Sequence, residues 1–168
     1  MASSLNYIPL LSAGAKAAFG IETVAGTMPS SMEAIYGAKS IPASTNAPSA
    51  KETTDLSCTE FKTYMAGLQD LGGAMAITSN FSQKLVDQWN GFCDNAATAR
   101  EADKASWLVI AHPGIDKAVA YQIQPVKIYM PEMAVDELNE IDLNYVQMSE
   151  PDWVTKPTIS EPSASDAG

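Results

Sequence analysis

The chain has 168 residues, 46% of them hydrophobic, enough for one globular core that buries roughly 70% of the surface an unfolded chain exposes. Twenty Asp and Glu against ten Lys and Arg give a formal charge of −10, which argues against a protein that grips nucleic acid by neutralising phosphates. Ten prolines and ten glycines favour turns over long helices and speak against an all-helical fold.

The N-terminal run MASSLNYIPLLSAGAKAAFG has no Lys or Arg ahead of Leu10 and Leu11, so it lacks the charged start of a secretory signal. No apolar run approaches the ~20 residues of a bilayer span, and a soluble protein is expected. Residues 1–18 read as an N-terminal arm, with a short extended piece at 20–24. Residues 26–50, punctuated by Pro29, Pro42 and Pro48, read as a long loop or extended hairpin with a short strand at 31–36. Ordering each residue of such a segment costs about 1–2 kcal/mol of backbone entropy, which packing against a neighbouring subunit would offset. Residues 52–73 read as a strand end and a polar arm feeding a sheet, with no reactive constellation.

Regular patterns begin at Gly73. Met75, Ile77, Ser79 and Phe81 alternate with Ala74, Ala76, Thr78 and Asn80, which predicts a strand. Ser82 can cap a helix over about 82–102 in which Leu85, Val86, Trp89, Cys93 and Ala96 recur at helical spacing; Gly91 weakens that helix without ending it. The run Trp107, Leu108, Val109, Ile110, Ala111, closed by His112, Pro113 and Gly114, predicts a central strand buried on both faces. A longer strand is expected over 118–130, interrupted by a bulge or edge position at Pro125. A last strand over 141–148 turns Ile141, Leu143 and Tyr145 inward and Glu140, Asp142 and Asn144 outward. The end, residues 156–168, is expected to be mobile. The fold class is therefore α+β, mainly β: a β-sandwich or partly closed barrel with one flanking helix, forming a single domain over 19–155.

No reactive group stands out. His112 has no identifiable Ser or Asp partners, Gly72-Gly73 lacks the ending of a phosphate loop, and no Gly-x-Ser-x-Gly elbow occurs. Cys58 and Cys93 form no CxxC pair and read as reduced thiols in the interior of a protein folded in a reducing cytoplasm. Asp136, Glu137, Glu140 and Asp142 lack calcium-loop spacing and read as a charged surface. Asn80-Phe81-Ser82 matches a glycosylation acceptor by chance. Three tryptophans and six tyrosines without a basic groove read as core and interface residues.

Five segments, in their order along the chain, resemble the major tail tube protein of long, non-contractile (siphovirus-type) phage tails. They are SMEAIYGAKSIP at 31–42, ETTDLSCTEFKTYMAGLQDLGG at 52–73, the helix containing Trp89, the strand near Trp107, and DWVTKPTI at 152–159. The resemblance spans about residues 20–160. It implies a β-sandwich or barrel with one helix, assembly into stacked hexameric rings around the path of the genome, and no enzymatic activity or cofactor. Implied partners are further copies of the chain, the tape measure protein, and the tail terminator and tail tip proteins. The implied place is the virion tail, after folding in the host cytoplasm. Tubes of contractile tails and of type VI secretion share the fold, so fold alone does not choose among these machines. The short stretch after Trp153 is expected to leave no room for the extra surface domain of some members.

Duplex DNA carries a negative charge about every 1.7 Å, so an acidic channel lets it slide where a basic one would hold it. On this reading Asp116, Asp136, Glu140 and Asp142 are the lumen-facing candidates. The competing readings are another ring-forming neck or secretion component and, from a different class, a small enzyme using His112.

Overall fold

The computed structural model describes residues 10–44, 47–57, 59–70 and 73–162. In chain order these form β1 (Lys16–Ile21), β2 (Ser31–Ala34), β3 (Ala38–Ser40), β4 (Ala47–Glu52), β5 (Tyr64–Asp70), β6 (Ala74–Asn80), α1 (Gln83–Glu101), β7 (Ser106–Ala111), β8 (Lys117–Pro125), β9 (Glu140–Gln147), β10 (Asp152–Thr155) and β11 (Thr158–Ser160). Nine strands share one sheet in the order β11-β2-β1-β7-β8-β9-β6-β3, with β10 on the first half of β8; β4 and β5 form a separate pair. The sheet curls into a half-barrel, so the fold is α+β and mainly β, as the periodicities predict.

The central strand is β7, flanked by β1 and β8 in continuous antiparallel register. It lies between two cores, and neither Leu108 nor Val109, which point to opposite faces, is exposed at all. On one face α1 lays Leu85, Trp89 and Phe92 over Phe19, Leu108 and Tyr121. The Phe19 and Phe92 rings are 4.2 Å apart, and Trp89 meets Phe19 edge-on at 6.3 Å, arrangements that add about 0.5–1.5 kcal/mol per pair beyond area burial. The Trp89 indole N–H donates to the Val126 carbonyl at 2.8 Å, so burying the ring strands no donor.

The other core is built from small side chains. Ala18, Val109, Ala111, Ala118 and Ala120 pack with Met32, and Val154 of β10 and Ile159 of β11 rest against them. Because β10 pairs with β8 and β11 pairs with β2, residues 152–160 bridge the two ends of the β2-β1-β7-β8 segment. Alanines on this face let the sheet curl tightly enough for one short segment to reach both ends.

The helix follows its expected course. The Ser82 hydroxyl accepts from the Leu85 N–H at 3.2 Å, and the C-terminus closes with Asp103 N–H on the Arg100 carbonyl and Lys104 N–H on the Ala99 carbonyl. Asp103 takes the left-handed position, φ 56°, that glycine usually fills in this motif. Val86 packs only partly against the core, whereas Phe92 and Ala99 are buried.

Other expectations need correction. The arm expected over 1–18 ends sooner, because Lys16–Ala18 already belong to β1, with Ala17 and Ala18 buried; residues 1–9 lie outside the described residues. The extended piece at 20–24 is the end of β1, since only Gly20 and Ile21 remain in the ladder. The stretch 26–50 is not simply a loop: it holds β2, β3 and the start of β4. The strand expected over 118–130 ends at Pro125, which has no N–H to donate, although Val126 N–H still donates to the Asn144 carbonyl of β9 at 2.9 Å. Beyond it Asn90 of α1 takes over, donating to the Ile128 carbonyl at 3.2 Å and accepting its N–H at 3.0 Å. The tail expected to be mobile from 156 contains β11, held parallel to β2; residues 163–168 lie outside the described residues.

Replacing Trp89 by Ala removes both an aromatic hub and a hydrogen bond to the segment after β8. A loss of about 3–5 kcal/mol is expected in urea unfolding followed by circular dichroism.

Candidate assembly surface

Most of the strand end and polar arm read at 52–73 belongs to the β4–β5 pair, which is separate from the main sheet it was expected to feed; residues 58, 71 and 72 lie outside the described residues. Its strands pair from Ala47 opposite Asp70 to Glu52 opposite Tyr64, with a register shift between Pro48 and Ala50. Beyond the ladder, Thr53 N–H donates to the Thr63 carbonyl at 2.7 Å and the two threonine hydroxyls meet at 3.1 Å. Gly67 is needed where the strands approach, since a Cβ there would lie 2.5 Å from the Ser49 hydroxyl and 3.0 Å from its carbonyl. Among the described residues neither strand has a second neighbour.

The hairpin buries little. Leu56 is fully exposed, Leu68 is 89% and Phe61 79% exposed, and more than half of Tyr64 and of Met65 faces solvent. A lone two-stranded sheet is at best marginally stable in water, and this many large apolar side chains left exposed on it point to an interaction site. Two open edges on a short, flat pair invite strand addition unless a partner covers them.

A second exposed strip follows β8. Tyr129, Met130, Val135 and Leu138 all face solvent along residues 126–139, a stretch without strand or helix. Interleaved Glu132, Asp136 and Glu137 line a groove with Glu140. Glu140 and Asp142 are exposed on the outer face of β9, as alternation requires. Glu140 pairs with Lys39, and Asp142 accepts from the Thr78 hydroxyl at 2.8 Å. Asp136 sits exposed in a left-handed turn, φ 61°.

Asp116 is elsewhere. It is exposed just ahead of β8, whereas β9 lies against the other end of that strand, at Ile123–Pro125. Nine residues of extended chain, roughly 30 Å, separate the two positions. Asp136, Glu140 and Asp142 therefore share one surface, and Asp116 lies outside it at the β7–β8 turn. The acidic stripe on β9 is also short, because Val146 occupies the outer face beyond Asn144.

The titratable groups of the interior hold the fold together. Glu22, almost fully buried, accepts from the Trp107 indole N–H at 2.8 Å, from Gly26 N–H at 2.9 Å and from Ala105 N–H at 3.0 Å. Burial alone pushes its carboxyl up, but these three donors outweigh that and hold it below its ordinary value of 4.5. His112 accepts from Gly114 N–H on Nδ1, which leaves Nε2 to donate to the Leu11 carbonyl; the ring latches a turn and has no serine or carboxylate partner among its bonds. The Tyr121 and Tyr145 hydroxyls meet at 2.8 Å in the core, and burial pushes both phenols up. Cys93 is a buried free thiol, pushed up to about 11 by burial and by Asp94; Cys58 lies outside the described residues. Among the described residues no three His, Cys, Asp or Glu side chains converge as metal ligands, and no helix is long and apolar enough to cross a membrane.

Leu56 and Phe61 were legible only as apolar interruptions in a polar arm, and Glu22 carried no sequence signal at all. The sequence matches no protein-family model and no curated protein.

The folded value of Glu22 is lowered, so its stabilisation is present above pH 4.5 and is lost as pH falls through that folded value. Glu22→Gln is expected to cost about 2–3 kcal/mol at pH 7 and to narrow the gap from wild type near pH 3, read from urea midpoints across pH. Cys93 should resist a thiol reagent until the protein unfolds, which mass spectrometry of a Cys58→Ser variant would reveal.

Proposed function

We propose that this protein is a structural subunit of a phage tail tube, of the long non-contractile type, which stacks as hexameric rings around a channel for the genome. The observation that carries the reading is the β4–β5 hairpin: two open-edged strands displaying large apolar side chains that the subunit itself does not cover. Such a structure is out of place on a monomer and natural on a subunit whose neighbours complete it. The short edge strands β3 and β11 leave the main sheet open at both ends of its order, a geometry that closure with neighbours would finish.

The charge supports a conduit. With a formal charge of −10 and with Asp136, Glu140 and Asp142 gathered on one exposed surface, the subunit offers passing DNA repulsion and no grip. Asp116 lies outside that cluster, at the β7–β8 turn. The structure of His112, already committed to two backbone groups, gives no support to an enzyme. In the virion the subunit's partners are its own copies, the tape measure protein, and the terminator and tip proteins at the tube's ends.

Negative-stain electron microscopy of concentrated protein tests the reading. Long hollow tubes are expected; single closed rings would assign the chain to a neck component, and a compact monomer at every concentration would end the proposal. Reversing Glu140 and Asp142 to Lys places cations beside Lys39 at an exposed ion pair, the kind worth about 1 kcal/mol or less. Tubes should therefore still form, while genome delivery slows, measured as the rate of DNA release from assembled virions; an unchanged rate counts against an acidic channel.

A further inference from the structure

Another groove has the opposite character to the acidic surface. It is a cavity of about 600 Å³ between residues 41–44 and the end of the β7–β8 hairpin, with Ile41, Ile110, Ile115, Val119 and Trp153 among its apolar walls. Of the two lysines that line it, Lys39 is paired with Glu140, which leaves Lys117 as the cation without an ion pair among the described residues. Trp153 remains 56% exposed beside it, an aromatic anchor without a cover.

The hairpin supplies the complement. Between β4 and β5, Leu56 and Phe61 project with Asp55 and Glu60 beside them, while Lys62 faces Glu52 at 3.8 Å. The tip is thus apolar with an acidic border, and the groove is apolar with Lys117 at its border. We infer that the hairpin tip of one copy docks in this groove of the next copy, with Leu56 and Phe61 against the apolar walls and Glu60 towards Lys117.

A single copy cannot satisfy itself. The groove wall at 41–44 leads almost directly into the base of the hairpin at Ala47, whereas β5 alone runs seven residues back from tip to base, roughly 20 Å. Tip and groove therefore sit a strand length apart on every copy. A contact between two different patches is head-to-tail, and it propagates until a ring closes or a filament grows. The inference rests on the tube reading for its biological setting, but it makes a separate claim about which residues meet.

Site-directed crosslinking separates the two. In a Cys58→Ser background, Phe61→Cys and Ile115→Cys are introduced on separate chains, mixed, assembled and oxidised. A disulfide between copies, absent when either cysteine is used alone, is expected. Phe61→Glu should weaken self-association more than about thirtyfold by sedimentation, the effect of losing a central aromatic anchor, and Glu60→Lys with Lys117→Glu should restore association that either reversal weakens. Tubes without the crosslink would overturn the docking and leave the tube reading standing; crosslinked oligomers that never become tubes would do the reverse. With both cysteines placed on one chain, a disulfide formed within a monomer at high dilution would give the groove to the chain's own hairpin and equally overturn it.

Discussion

Everything in this fold depends on burying both faces of β7 and its neighbours β1 and β8. One face is covered by α1 through large rings, the other by the chain's own last strands against alanines. The two solutions differ because the covers differ. A helix stands about 10 Å from a sheet and needs long side chains to fill the space, whereas a sheet that curls on itself leaves room only for small ones. The pattern Ala18, Ala111, Ala118 and Ala120 on one face, with Phe19, Leu108 and Tyr121 on the other, is the sequence form of that difference.

Polar atoms hold the places where regular structure ends. Glu22 joins the end of β1 to the start of β7 by taking three donors, Asn90 serves both backbone groups of Ile128 beyond the end of β8, and His112 ties the β7–β8 turn to Leu11. In each case a side chain does the work of a missing strand partner. These devices leave the central body self-sufficient, which sharpens the contrast with the hairpin. There the backbone is paired but the side chains are not covered.

That contrast shapes the functional argument. Interior chemistry is accounted for by folding, and what remains on the outside is apolar surface, open edges and a surface rich in acid. On the proposed reading, such surfaces serve repeated contact between identical copies, each patch being met by the next subunit.

The sequence by itself determined the elements with a strong period: β6, the Ser82-capped helix, the doubly buried β7 and the alternation of β9. In these, local spacing and burial agree, so the pattern of apolar residues is also the pattern of contacts. It did not show β10 and β11, four and three residues long, because so short a strand has no period to read and exists only through its partners on β8 and β2. Nor did it show that Glu22 is buried or that Asp116 lies outside the surface shared by Asp136, Glu140 and Asp142. Those facts depend on which strands become neighbours and in what register, and the pairing of residues distant along the chain is set by the closing of the whole sheet rather than by any one segment.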